Sequence, residues 1–203
     1  VYAFEHLAEL ATPKIVYRSV GRDDESSFAQ WISERRAGVV LVGAPSRASS
    51  VTLPLPRAYA LAREHAPGQL VGGIAIAERH ARKGDEHERM LAKMREGCRF
   101  FVTQAVYDVS ASKSLISDYA LALAAMEREP VPLILTFAPC ASEKTLAFMQ
   151  WLGISFPRWL ENELKHAPDP LATSLRLCET IFDEVYAFAR SKQVPLGINV
   201  ESV

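Results

Sequence analysis

Short β-branched or apolar runs alternate along this chain with longer segments in which apolar residues recur every three or four positions. That alternation is the pattern of repeated βα units around a parallel sheet. Six runs qualify as strands: Ile15-Val16-Tyr17, Val39-Val40-Leu41-Val42, Leu70-Val71-Gly72-Gly73-Ile74-Ala75-Ile76, Phe100-Phe101-Val102, Leu133-Ile134-Leu135-Thr136-Phe137 and Leu196-Gly197-Ile198-Asn199-Val200.

The segments between them carry helix punctuation. Asp23 or Asp24 caps a helix bearing Phe28, Trp31, Ile32 and Arg35 that stops at Gly38. A helix pattern ending in Lys93 and Gly97 leads into the fourth strand, and Ser142 caps a helix with Leu146, Met149 and Leu152 that ends at Gly153. Phe156 to Leu164 forms a short extra helix. Asp169 and Pro170 then open the longest one, whose stripe is Leu171, Leu175, Cys178, Phe182, Val185 and Phe188. Residues 48–54 form a polar loop after the second strand. No boundary or fixed-period repeat interrupts the chain, so residues 1–203 are expected to form one α/β domain. Six units fall short of the eight of a closed βα barrel. Residues 1–12 read as a helix with no strand before it, and Val203 directly follows a strand. The expectation is a barrel of which roughly two N-terminal strands and the last helix lie outside this sequence.

Composition narrows the partners. A chain of 203 residues, 49% hydrophobic and 23% charged, can bury a full core. Its 23 basic and 24 acidic side chains leave a net charge of -1, which supplies no electrostatic attraction to nucleic acid or an anionic membrane. A small molecule is the expected partner, and an assembly of several copies is compatible with this composition. Cys98, Cys140 and Cys178 are odd in number and lack CxxC spacing, which points to the cytoplasm and away from a disulfide framework. No apolar run reaches the length of about 18 residues that a membrane span needs.

In parallel βα folds chemistry gathers at strand carboxyl ends. These are Arg18-Ser19, residues 43–47, Glu78-Arg79-His80, Thr103-Gln104 with Tyr107-Asp108, residues 139–143, and Asn199-Val200-Glu201. Gln104 has both donors and acceptors and suits a ring with an amide-like edge, such as a pterin or flavin; an amide there equally serves to cap a loop. His80, Arg82 and Lys83 follow a strand, where cations and helix N-terminal amides favour phosphate, although such charged runs commonly form a solvated helix face. His80 and His87 are seven apart and match no ligand spacing, so no metal site is expected. Lys93 either reaches toward the strand ends or lays its stem over apolar surface. Glu143 begins a helix, where a capping role competes with acid-base work. Cys140 lacks a base placed beside it. Gly-rich phosphate loops of the GxGxxG or P-loop type are absent.

Residues 97–108, Gly97-Cys98-Arg99-Phe100-Phe101-Val102-Thr103-Gln104-Ala105-Val106-Tyr107-Asp108, resemble the "GA…ITQ.FFD" strand of methylenetetrahydrofolate reductases, with Lys93 at the matching distance upstream. Leu41-Val42-Gly43-Ala44-Pro45 is similar to that family's "LRGDPP" turn, Glu78-Arg79-His80 to its "PEGHPE" loop, and residues 132–139 to its "IPIIPGIMP" strand. Residues 154–157 and the two helices after them resemble the family's helical insertion. The resemblance implies an eight-stranded barrel of TIM type that binds FAD at the strand carboxyl ends. It implies electrons passing from NADH or NADPH, through the flavin or directly, to methylenetetrahydrofolate, giving 5-methyltetrahydrofolate. Gln104 would contact the pterin, and His80, Glu86 and Lys93 the flavin.

The chain also departs from that pattern. Val42 and Ala44 stand where the family has the Arg and Asp of its "RGD" turn, removing a flavin contact and the carboxylate that stabilises the cationic folate intermediate. The family's catalytic Glu, in its "FEFFPP" strand, has no counterpart; Phe4-Glu5 lies in a helical context. The family's third-strand His is replaced near Lys14 or Ile15. Three readings follow: a divergent folate reductase, a folate- or pterin-binding barrel without reductase activity, and a barrel enzyme of unrelated chemistry such as a lyase.

Overall fold

The structure is a computed structural model that describes residues 11–34, 38–43 and 50–201. The expected helix over residues 1–12 falls almost wholly outside these residues, as do Phe4-Glu5, Arg35 and Ala44. Six strands, β1 (Ile15–Ser19), β2 (Gly38–Val42), β3 (Val71–Ala75), β4 (Phe101–Ala105), β5 (Leu133–Phe137) and β6 (Leu196–Val200), follow one another in chain order within one sheet. Pairing is parallel between β1 and β2, β2 and β3, and β5 and β6. The α/β class and parallel sheet agree with the sequence pattern. β1 and β6 stand at the two ends of the order, so among the described residues the sheet is not closed.

Eight helices connect the strands among the described residues: α1 (Glu25–Ser33), α2 (Leu55–His65), α3 (Ala77–Lys83), α4 (Glu86–Arg95), α5 (Val109–Ala125), α6 (Glu143–Trp151), α7 (Arg158–His166) and α8 (Pro170–Ser191). No helix among these residues is long and apolar enough to cross a membrane. The chain divides into two compact units, one of Val1–Ile74 with Leu91–Phe101, the other of Ala75–Met90 with Val102–Val203.

In the first unit, Asp24 caps α1 by accepting from the Ser27 amide at 2.9 Å. Hydrogen bonds from the Ser26 hydroxyl and from Ser27 hold its carboxyl well below the usual carboxylate range. Helix α1 buries Phe28, Trp31 and Ile32, and it ends at Ser33, short of the expected stop at Gly38. Gly38 instead opens β2, where a Cβ would lie 3.1 Å from Ile15 Cγ1. Strand β3 contains two adjacent glycines because both its faces are crowded. A methyl on Gly72 would sit 2.4 Å from the Phe100 ring, and one on Gly73 would sit 2.7 Å from the Tyr59 hydroxyl. Tyr59 crosses from α2 to donate to the Gly72 carbonyl at 3.2 Å.

In the second unit, Asp108, Ser142 and Asp169 cap α5, α6 and α8 through their side chains. Helix α8 buries Ser174, Cys178, Ile181, Val185 and Ala189; of the stripe expected from spacing only Cys178 and Val185 are buried, Phe182 and Phe188 are half-buried, and Leu171 and Leu175 are exposed, because the buried face is turned toward Ile181 and Ala189. Phe182 meets Phe137 of β5 edge-on with ring centres 6.2 Å apart. The charged run after β3 is not one solvated helix start. Gly84, at φ 71°, ends α3, and α4 begins at Glu86.

Candidate functional site

Strand β4 continues through Ala105, so Thr103 and Gln104 lie inside it rather than beyond its tip. Thr103 stays in the sheet because its hydroxyl does ladder work, accepting the Thr136 amide at 3.0 Å. The Thr136 hydroxyl in turn accepts from Asn199 Nδ2 at 3.2 Å, and the same Nδ2 donates to Glu201 at 2.7 Å. A polar row therefore crosses β4, β5 and β6 near their carboxyl ends.

Gln104 is half-buried and donates from Nε2 to the Leu152 carbonyl at 2.9 Å. Leu152 is the C-cap of α6, where carbonyls have no helical partner, so the amide caps a helix end. No donor among the described residues reaches Gln104 Oε1. The segment after Leu152 turns at Gly153, with φ 88°, and makes two more contacts with this region. The Ser155 amide approaches Glu78 Oε1 at 3.5 Å, and the Phe156 ring lies against Tyr107 with centres 4.3 Å apart. Residues 152–156 thus tie together the end of β4, the first turn of α3 and the Tyr107 corner.

Glu78 is a buried carboxyl in the first turn of α3. Burial pushes its pKa up, and the charge of Asp108 adds to the rise. The Gln104 amide oxygen can accept from a polar heterocycle, and the Glu78 carboxyl, tied to the same 152–156 segment, can hold a proton. Beside it, Phe148 and Trp151 stack with centres 5.9 Å apart, and Trp151 is 78% exposed.

Tyr107 is anchored deeply. Its hydroxyl donates to the Ala138 carbonyl at 2.7 Å and pairs with Ser174 at 3.2 Å, while Ser174 accepts the Cys140 amide at 2.7 Å. Cys140 is buried, and desolvation raises its thiol pKa, the opposite of what a nucleophile needs. Glu143 sits in the first turn of α6 behind the Ser142 cap.

The residues that the family resemblance assigns to flavin all hold partners within the protein. Glu86 is wholly buried, accepting from the Ile76 amide at 3.2 Å and from Arg79 at 2.9 Å. His80 is buried, with Nε2 3.1 Å from Asp118 Oδ2 and its ring against His87. Lys93 belongs to the first unit, where its ammonium donates to the Ile74 carbonyl and lies 5.8 Å from the Phe101 ring centre. Arg82 and Lys83 are exposed. Arg18, at the end of β1, is buried under a two-pronged bond to Asp23 at 2.7 and 2.9 Å and lies over Trp31. Val42 closes β2.

A cavity of about 500 Å³ in the first unit opens on the amino side of β3, between Arg63, Leu70 and Arg99. Arg63 in its lining is already held by Glu96 at 3.1 Å.

No protein-family model and no curated protein matches the sequence. A solved structure does: an uncharacterized protein from Clostridium thermocellum that binds two copies of 5-methyl-5,6,7,8-tetrahydrofolic acid. It is 44% identical, with a TM-score of 0.87, over 98% of this chain and 69% of that one. At that identity and coverage, this chain belongs to the family of the Clostridium thermocellum folate-binding protein.

Proposed function

We propose that this chain binds a reduced folate of the 5-methyltetrahydrofolate type at the strand carboxyl ends of its second unit, on a scaffold of the βα-barrel kind. The observation that carries the reading is the 44% identical relative that holds two copies of this ligand. Strand order supports the scaffold, since sequential parallel strands are how such barrels are built. Gln104 recognises the pterin edge: its Nε2 is committed to Leu152, which leaves Oε1 to accept from the ring's amino group or ring N–H. Phe148 and Trp151 offer an exposed aromatic face for the aminobenzoyl part.

For a flavin contact, His80, Glu86 and Lys93 would each have to exchange a partner that they now hold. A second reading, reduction of methylenetetrahydrofolate, is favoured by one observation: Glu78 is a buried acid with a raised pKa near Gln104's loop, as a proton donor to a folate ring would be.

Calorimetry of the full chain with 5-methyltetrahydrofolate tests the binding. Gln104→Ala removes one or two hydrogen bonds of about 0.5–1.5 kcal/mol each and should weaken affinity roughly 2- to 150-fold. Saturable binding lost to this degree is the expected result. No heat with the wild-type chain, or a variant with wild-type affinity, overturns it. Methylenetetrahydrofolate-dependent oxidation of NADH would advance the second reading, and binding without turnover would dismiss it.

A further inference from the structure

The structure assigns a binding site for a divalent transition-metal ion to His80, His87 and Asp118, and this assignment is independent of the folate reading. His80 lies in α3, His87 in the first turn of α4 and Asp118 in α5, all in the second unit. One ring nitrogen from each histidine and one carboxylate oxygen lie within 4.8 Å of one another. The two rings stand nearly perpendicular, at 86°, with centres 5.4 Å apart. His80 Nε2 and Asp118 Oδ2 are 3.1 Å apart, near the separation of about 3.3 Å between two ligands of a tetrahedral ion with arms of about 2.0–2.1 Å.

A second observation separates this group from an ordinary surface cluster. Nδ1 of His80 and Nδ1 of His87 are both buried and have no hydrogen-bond partner among the described residues. Buried ring nitrogens without a partner are rare in a settled polar network. An ion held by His80 Nε2 and Asp118 Oδ2 would give the orphaned Nδ1 of His87 a partner. In the absence of an ion, the Asp118 carboxylate holds the His80 ring through Nε2.

Electrostatics permit a cation here. Arg79 is engaged by Glu86 at 2.9 Å and Arg89 by Asp85 at 3.0 Å, so these two guanidinium groups already face carboxylates. The Asp118 side chain is 49% exposed, which leaves an open side for water or a further ligand. Two imidazoles and one carboxylate suit Zn²⁺, Co²⁺ or Fe²⁺; Mg²⁺ and Ca²⁺ prefer oxygen donors throughout.

The test is titration of the chelator-treated full chain with Co²⁺, read by its visible absorption, followed by displacement with Zn²⁺. One ion per chain is expected, with His87→Ala and Asp118→Ala each weakening binding at least tenfold and Mg²⁺ failing to compete. Melting in EDTA should show these variants folded as the wild type is, and Zn²⁺ should raise the melting temperature of the wild type alone. The assignment is overturned if no absorption band develops, or if the His87→Ala/Asp118→Ala double variant binds Co²⁺ as tightly as the wild type.

Discussion

Ser174 offers the sharpest test of how the strand-end corner is held. Its side chain is fully buried, accepts the Cys140 amide at 2.7 Å and pairs with the Tyr107 hydroxyl at 3.2 Å. Ser174→Ala removes two neutral hydrogen bonds, each worth about 1 kcal/mol, and leaves the Cys140 N–H buried without an acceptor, a penalty of about 1–3 kcal/mol. The net expectation is a loss of about 3 kcal/mol. For a chain of this size that is a fall of roughly 6–12 °C in melting temperature. Tyr107→Phe leaves the Ala138 carbonyl without its 2.7 Å donor but spares the bond between Cys140 and Ser174, so a smaller loss of about 1–3 kcal/mol is expected. Because the two substitutions share one hydrogen bond, the double variant should fall short of the summed losses by about 0.5–1.5 kcal/mol. Urea unfolding of the four chains supplies all the terms. A Ser174→Ala chain within about 0.5 kcal/mol of wild type, or strict additivity, would refute the claim that this network clamps the loop after β5 to the Tyr107 corner.

Two further outcomes follow from buried titratable groups. Glu78 has a folded pKa raised above its ordinary 4.5, so the folded chain binds the extra proton and stability should fall as pH rises from that value through the folded pKa; Glu78→Gln, which keeps an acceptor for Ser155, should flatten this slope in melting curves. A wild-type slope of the opposite sign would sink the reasoning. The Cys98 thiol is pushed up to about 11 by burial, and Cys140 and Cys178 are raised for the same reason, so a disulfide reagent near pH 8 should modify none of the three rapidly in the folded chain and all of them after unfolding. Rapid native labelling of any one would contradict the packing described.

Much of the framework was legible because it is encoded locally. β5 and β6 occupy the expected residues, Leu133–Phe137 and Leu196–Val200, and the caps Asp24, Ser142 and Asp169 are each set by one side chain a few residues from the amide it accepts. Gly38 misled because a glycine can end a helix or admit a neighbour's side chain, and only the position of Ile15 decides between them. Thr103 misled for a related reason: its hydroxyl stands in for a backbone carbonyl in the sheet, which a polarity pattern reads as a tip. The Gln104 environment was half legible. Residue type and strand position marked the amide, but its partner is a main-chain carbonyl at Leu152, a group every residue carries and no sequence distinguishes. His80 and His87 were set aside on their spacing, since Asp118 arrives from a helix beyond the next strand and long-range encounters leave no periodic trace.

The crowding around the two glycines of β3 also constrains how chains of this kind can diverge. Enlarging residue 72 first drives a methyl into the Phe100 ring at 2.4 Å, and shrinking Phe100 first opens a void in a packed interior. Either order passes through a destabilised intermediate, so the two positions should change together or not at all. A relative with a bulky residue aligned to Gly72 is therefore expected to carry a smaller one aligned to Phe100, and that paired exchange would mark a lineage with a rebuilt first unit.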